Sequence, residues 1–166
     1  MNYLEPTAKE LEREAATARR LLERVPEESL GWKPHEKSMT LGRLAGHIAE
    51  LPSLIVPAVT QDELNFASGA YVPFAPTKSA ELVEKLDQTV AAAVEALKQP
   101  IDEENLFKPW RLSNGEHVIF EIPRLAAIRS FAINHFIHHR GQLSVYLRLL
   151  DVPVPSIYGP SADEQM

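Results

Sequence analysis

The chain of 166 residues contains no cysteine, and this absence restricts the chemistry open to it. Disulfides, zinc fingers, iron–sulfur clusters and thiol nucleophiles all require cysteine, so the sequence excludes these classes. Any transition metal must therefore be held by His and carboxylate side chains. Any thiol that takes part in a reaction must come from outside the chain.

The sequence also lacks a basic excess and a long apolar run. It carries 17 Lys and Arg against 23 Asp and Glu, a formal net charge of −6, with no single basic stretch. This charge disfavours nucleic acid and anionic membranes as partners. The most apolar run, residues 51–59, is too short to span a bilayer and contains Pro52 and Pro57. Because no secretory signal is visible, the sequence predicts a cytoplasmic protein.

The composition that remains is that of an ordinary globular protein, 45% hydrophobic and 24% charged, which predicts a single domain over 1–166. We expect the core over residues 4–150 and a polar tail over 151–166. Apolar residues recur every three or four positions in four segments. These predict helices over about 7–25, from Ser38 or Thr40 to Pro52, over 79–98 and over 123–150. Four helices with short and medium connections predict an all-α four-helix bundle.

One short segment breaks the helical pattern. Asn114-Gly115, with apolar residues on both sides, is typical of a two-residue hairpin turn. We therefore expect a short hairpin or irregular excursion between helices three and four. No partner strand is expected elsewhere, so the predicted fold class remains all-α.

The last predicted helix is apolar on two sides. On a helical wheel, His135 shares one arc with Ile128, Phe131, Ala132, His139, Gln142, Tyr146 and Leu149. A second arc carries Ile133, Phe136, Ile137 and Leu147. A helix of this kind is buried on more than one side. It either lies centrally in the bundle or contributes the contact of a homodimer.

The arrangement of histidines is the most informative feature. His135 and His139 are one helical turn apart, so both imidazoles can approach one divalent metal from the same side. His47, beside the apolar face of helix two, is the best third ligand. Three neutral His would leave a coordination position for water or substrate. Spacing alone leaves a metal-free alternative open, in which the pair hydrogen-bonds internally or to Gln142 and Tyr146.

Three other polar residues are candidates for catalytic roles. Gln142 shares the face of His139, and it holds an imidazole, holds the metal-bound water or simply packs. His138 is expected at the edge of the site or behind the ligands. Glu50, three residues after His47, is a fourth ligand, a base or, as for most glutamates, a solvated side chain.

Two segments of the sequence resemble a known family. HFIHHRGQL at 135–143, followed by YLR at 146–148, is similar to the signature of the DinB/YfiT-like superfamily. WKP at 32–34 and HIAE at 47–50 resemble the loop and second helix of that family. The resemblance covers about residues 4–150, with both segments in the family's order.

This resemblance implies a DinB-like four-helix bundle, commonly a homodimer, with one divalent ion per chain held by His47, His135 and His139. Ligand type does not choose among Zn, Ni, Mn and Fe. Characterised relatives include thiol-dependent transferases and isomerases that use low-molecular-weight thiols, and proposed metal-dependent hydrolases. We therefore expect a metal-dependent S-transferase acting on a small electrophilic substrate. The alternatives are a metal-dependent hydrolase and a non-catalytic, stress-related bundle that binds metal or small molecules.

Overall fold

The computed structural model describes residues 3–69 and 71–165. Its helices are α1 (Glu5–Leu22), α2 (Leu41–Glu50), α3 (Ile55–Thr60), α4 (Ser79–Lys98), α5 (Glu103–Phe107), α6 (Arg124–Ala126) and α7 (His135–Leu149). Its strands are β1 (Glu63–Asn65), β2 (Pro109–Asn114) and β3 (His117–Pro123). Shorter 3₁₀ turns cover Glu27–Ser29, Leu51–Leu54 and Phe66–Ser68. None of the helices in the described part of the chain combines the length and hydropathy of a membrane-spanning segment.

The four helices predicted from periodicity are present as α1, α2, α4 and a continuous helical segment over 124–149 that ends in α7. In this segment, π-helical turns over Ala127–Asn134 connect α6 to α7 without a break in the helical backbone. At the start of α2, the Thr40 hydroxyl accepts a hydrogen bond from the Arg43 backbone N–H at 3.2 Å. Thr40, one of the two residues at which the sequence predicts the start of this helix, is therefore its N-cap.

The prediction of a purely all-α fold is wrong, although the protein is mostly helical. The predicted hairpin forms as β2 and β3, with Leu112 opposite Phe120. However, β1 pairs in parallel with β2, which makes a mixed three-stranded sheet. The Asn65 side chain accepts from the Gly115 N–H at 2.9 Å and donates to its carbonyl at 3.1 Å. A three-residue strand is too short to show periodicity, so no pattern in the sequence indicates this partner.

Two clusters of buried side chains make up the core. One joins α1, α2, α4 and α7, and the other packs α3 and the π-helical segment against the sheet around the fully buried Trp110. The segment predicted as a polar tail also contributes, since Val154 is buried in the first cluster and Ile157 packs against it. The core therefore extends past residue 150.

Candidate metal centre

Three imidazoles meet between α2 and α7. His47 lies on α2, and His135 and His139 lie one turn apart on α7. The Nε2 atom of His135 is 3.4 Å from Nε2 of His47 and 2.8 Å from Nε2 of His139. One ring nitrogen from each of the three lies within 4.8 Å of the other two. The structure thus brings together the three histidines that the sequence singles out, in a group that could hold a metal ion.

The position of His135 follows from a change in the helical backbone. The π-helical turns end at Asn134, immediately before it. A π turn contains more residues than an α turn, so it changes the direction in which residues before His135 point relative to those after it. The Phe131 carbonyl lies 3.3 Å from His135 Nδ1, and the two rings are 6.2 Å apart. The imidazole is therefore fixed by the helix on which it stands.

The hydrogen bonds of two imidazoles determine which nitrogens are free to bind an ion. His135 Nδ1 faces the Phe131 carbonyl, and His139 Nδ1 lies 2.7 Å from Oε1 of Gln142. Both oxygens are acceptors, which favours the neutral tautomers that carry the proton on Nδ1 and a free lone pair on Nε2. Two lone pairs then face each other at 2.8 Å, an arrangement that a cation between them stabilises.

The spacing of the nitrogens also fits a first-row metal ion. Two imidazole nitrogens bound to one tetrahedral zinc ion, each at about 2.0–2.1 Å, lie roughly 3.4 Å apart. This is the separation of His47 and His135, and the His135–His139 pair is closer at 2.8 Å. An all-imidazole donor set suits Zn, Ni, Cu and Fe ions. The residues present therefore fit a divalent transition metal.

The pKa values of the three imidazoles favour the neutral form that metal binding requires. Burial is the main cause in each case, and it lowers the pKa of His135 and of His139. Burial, followed by the neighbouring imidazoles and Arg43, lowers the pKa of His47 to about 4. Near neutral pH none of the three must first lose a proton to bind a cation.

Gln142 and His138, two of the candidate catalytic residues, lie in different positions beside the three histidines. Gln142 is exposed and holds the His139 ring through Nδ1, the role of orienting an imidazole. His138 is also exposed, with its ring centre 4.9 Å from that of His139. It lies at the edge of the site, outside the group that could hold an ion.

The structure corrects the expectation that the Glu50 side chain is solvated. A solvated side chain is expected at this position, but the residue is only 7% exposed. Its Oε1 accepts the Phe74 backbone N–H at 2.7 Å and lies 3.6 Å from Nη1 of Arg43. The carboxylate therefore secures the loop before α4 and pairs with an arginine. It is not part of the group that could hold an ion.

Sequence reasoning missed Arg43, which lines the same site. Its Nη2 donates to the Tyr71 hydroxyl at 3.3 Å. Arg43, His47 and Glu50 are spaced four and three residues apart, so they share one face of α2. A helical wheel of α2, like the one applied to the last helix, would have placed this arginine beside His47.

A cavity of about 250 Å³ opens beside the imidazoles. His47 and His135 form one side, and Arg43, Glu50 and Tyr71 supply the other polar groups. The remaining lining residues are Leu51, Ser53, Leu54, Phe66 and Phe131. A larger cavity of about 650 Å³, near Asp62 and Arg124, contains none of the three histidines. The smaller cavity is therefore the one placed for chemistry at the centre.

Comparisons with known proteins agree with this architecture. The family model described as the DinB family matches residues 2–166. The uncharacterized protein YrdA of Bacillus subtilis (strain 168) is 30% identical over 161 residues, which cover 94% of this chain and 88% of YrdA. A DinB-like protein from Bacillus cereus ATCC 10987 has a similar structure, with a TM-score of 0.67, 24% identity and coverage of 90% and 94% of the two chains. A DinB-like protein of Bacillus subtilis, YjoA, gives a TM-score of 0.65 at 20% identity, over 96% and 98%.

Proposed function

The chain belongs to the DinB family, and we propose that it is a metal-dependent enzyme whose divalent ion is held by His47, His135 and His139. The observation that carries the proposal is the convergence of three Nε2 atoms, two of them in rings whose Nδ1 protons are already committed to oxygen acceptors. Without a cation, the short contact between the two lone pairs on α7 is unfavourable.

Three His ligands leave room for an exogenous group, as in catalytic rather than structural zinc sites. When bound, the ion supplies Lewis acidity that lowers the pKa of a thiol or a water molecule. The chain supplies the neutral imidazoles, the hydrogen bond by which Gln142 orients His139, and an adjoining cavity for a substrate. The exposed wall of that cavity is mainly apolar.

We propose thiol-dependent S-transfer to a small electrophile as the reaction. The thiol must be a separate small molecule because the chain has no cysteine. A cavity of about 250 Å³ accommodates a small substrate. Turnover should then require an added low-molecular-weight thiol. Conversion of an electrophilic test substrate at the same rate without any thiol would instead support a metal-dependent hydrolase.

Elemental analysis of the purified full-length protein tests the metal site directly. We expect about one transition-metal ion per chain in the wild type, and less than about a tenth of that in His47→Ala and in His139→Ala, since each removes one of three ligands. His138→Ala is the matched control, because this neighbouring imidazole lies outside the ligand group. It should retain the full metal content. Full metal content in both ligand variants would reject the three-histidine site.

A further inference from the structure

The cavity beside the histidines also indicates what class of molecule it accepts. Resting on the proposed function, we infer that it binds a small, neutral, mainly apolar molecule whose oxygen accepts a hydrogen bond from Arg43. Three observations carry this inference: a buried donor without a partner, a carboxylate that cancels its charge, and aromatic walls.

The donor is Nη1 of Arg43. This atom is buried and has no hydrogen-bond partner within the part of the chain that the structure describes. Its nearest charge, Oε1 of Glu50, is 3.6 Å away, which is an ion-pair distance but too long for a hydrogen bond. A buried donor left unpaired is costly. Because the Arg43 side chain as a whole is 34% exposed and lines the cavity, a rotation of its guanidinium brings Nη1 to a ligand oxygen that accepts from it.

The charge of the ligand follows from Glu50. Its carboxylate is nearly fully buried and lies beside Arg43, so the pair contributes no net charge to the cavity wall. A ligand carboxylate would place a second anion close to the nearly buried carboxylate of Glu50, which is unfavourable. Burial, and then the neighbouring carboxylate, raise the pKa of Tyr71, so its hydroxyl keeps its proton and adds no negative charge. A neutral carbonyl or ether oxygen meets these conditions.

The apolar body of the ligand is expected to contact the two aromatic walls. Phe66 and Phe131 line the cavity with Leu54, and all three are partly buried against the neighbouring core. His47 and His135 lie on the same cavity, so a ligand held by Arg43 is next to the proposed ion. In an S-transfer reaction, this arrangement would place the Arg43 N–H at the oxygen of an electrophile.

Binding of two matched probes to the full-length protein tests the inference. The first is 4-phenylbutan-2-one, which has a neutral carbonyl, and the second is 3-phenylpropanoate, which carries a carboxylate. Dissociation constants are measured by NMR titration for the wild type, Glu50→Gln and the double variant Arg43→Met/Glu50→Gln. The double variant avoids leaving Glu50 as an unpaired buried charge, and the side-chain amide introduced by Glu50→Gln retains an oxygen for the Phe74 N–H. Circular dichroism checks that each variant is folded.

We expect the ketone to bind the double variant at least about tenfold more weakly than it binds Glu50→Gln, because a hydrogen bond from a charged donor is lost. The carboxylate should bind Glu50→Gln about tenfold more tightly than the wild type, because the repelling anion is gone. Equal ketone affinity in all three proteins would overturn the inference. So would an Arg43-dependent preference of the wild type for the carboxylate.

The result is separable from the metal proposal. Repeating the ketone titration with His139→Ala, which retains Arg43 and Glu50, shows whether binding needs the histidine group. Arg43-dependent ketone binding together with absent metal would reject the proposed function and support the ligand class. Full metal content, together with ketone binding that does not depend on Arg43, would support the proposed function and reject the ligand class.

Discussion

At the scale of single residues, His47 differs from the other two imidazoles in its hydrogen bonding. Its Nδ1 atom is buried and has no hydrogen-bond partner among the residues that the structure describes. His135 and His139, by contrast, each have an oxygen at Nδ1. Burial of an imidazole without such a partner penalises its charged form most strongly. Its pKa of about 4, against an ordinary value of 6.5, reflects this environment.

This pKa predicts a loss of stability in acid for the metal-free protein. Between pH 6.5 and about 4, His47 is protonated in the unfolded chain but neutral in the folded one, so lowering the pH favours unfolding. Because the ring is only half-buried, we expect a contribution of about 1–2 kcal/mol over this interval, after a discount for solvent screening. Below the folded pKa this residue should cause no further loss.

Urea unfolding of wild type and His47→Gln, with a chelator present, measures this contribution at both ends of the interval. The variant should lose less stability on acidification than the wild type by about the same 1–2 kcal/mol. An identical acid dependence in both proteins would refute the assignment to His47. His35→Gln, at an exposed histidine outside the site, is the control and should behave as the wild type.

The site illustrates what residue patterns can and cannot predict. The positions of His47, His135 and His139 could be anticipated because helical spacing and a family signature both point to them. The burial of Glu50 could not, because its partners are the backbone N–H of Phe74 and the side chain of Arg43. The first partner belongs to a loop whose path over α2 has no periodic signal in the sequence.

At the scale of elements, the contact between this loop and α2 depends on the absence of a side chain at Gly46. A Cβ atom there would lie 2.7 Å from the Phe74 carbonyl oxygen and 3.1 Å from Cδ of Pro76. Backbone occupies this space, so the loop must move if a methyl group is added. Movement of the loop would also disturb the hydrogen bond from Phe74 to Glu50.

Gly46→Ala should therefore destabilise the protein by about 1–3 kcal/mol, the usual effect of overpacking. Thermal unfolding measures the change. Gly141→Ala is the matched control, since a Cβ on this exposed glycine of α7 meets nothing within 4 Å. The control should gain about 0.5–1 kcal/mol from better helix propensity. A Gly46→Ala protein as stable as its control would contradict the close contact.

Two elements show why the predicted fold is incomplete. A helical wheel of the last helix assumes α geometry throughout, but π-helical turns over Ala127–Asn134 change the angle between successive residues. Whether a π turn forms depends on how the helix packs. The apolar composition of the helix is the same with or without it, so the sequence does not indicate its position. β1 could not be predicted for a related reason. A strand of three residues that pairs with a distant strand is too short to show a sequence periodicity of its own. The long amphipathic helices, which have such patterns, were predictable.

At the scale of the whole molecule, α7 exposes two apolar side chains in its C-terminal half. Val145 and Leu149 are 56% and 57% exposed and lie on the same helical stripe as His138 and Gln142. We propose that this face forms the contact of a homodimer. The second apolar arc that the sequence assigns to this helix does not supply this face, because Ile133, Phe136 and Leu147 are buried in the core.

Light scattering tests the dimer. The wild type should have twice the mass of one chain, and Val145→Glu/Leu149→Lys should have the mass of one chain, because two charges would be buried in an apolar contact. Val118→Glu/Ile119→Lys, at an exposed apolar pair on β3, is the control and should remain dimeric. A wild-type monomer, or dissociation of the control alone, would exclude the α7 face as the interface.

The packing of the last segment against α1 bears on how the chain acquires its structure during synthesis. The Tyr158 hydroxyl donates to Glu14 of α1 at 2.7 Å, and Arg24, two residues after the end of this helix, donates to the Pro153 carbonyl at 2.8 Å. Glu164 pairs with Arg20 of the same helix. These partners are more than 120 positions apart in sequence. Because α1 is translated before residues 153–164, these contacts can form only after the intervening helices and strands have been synthesised.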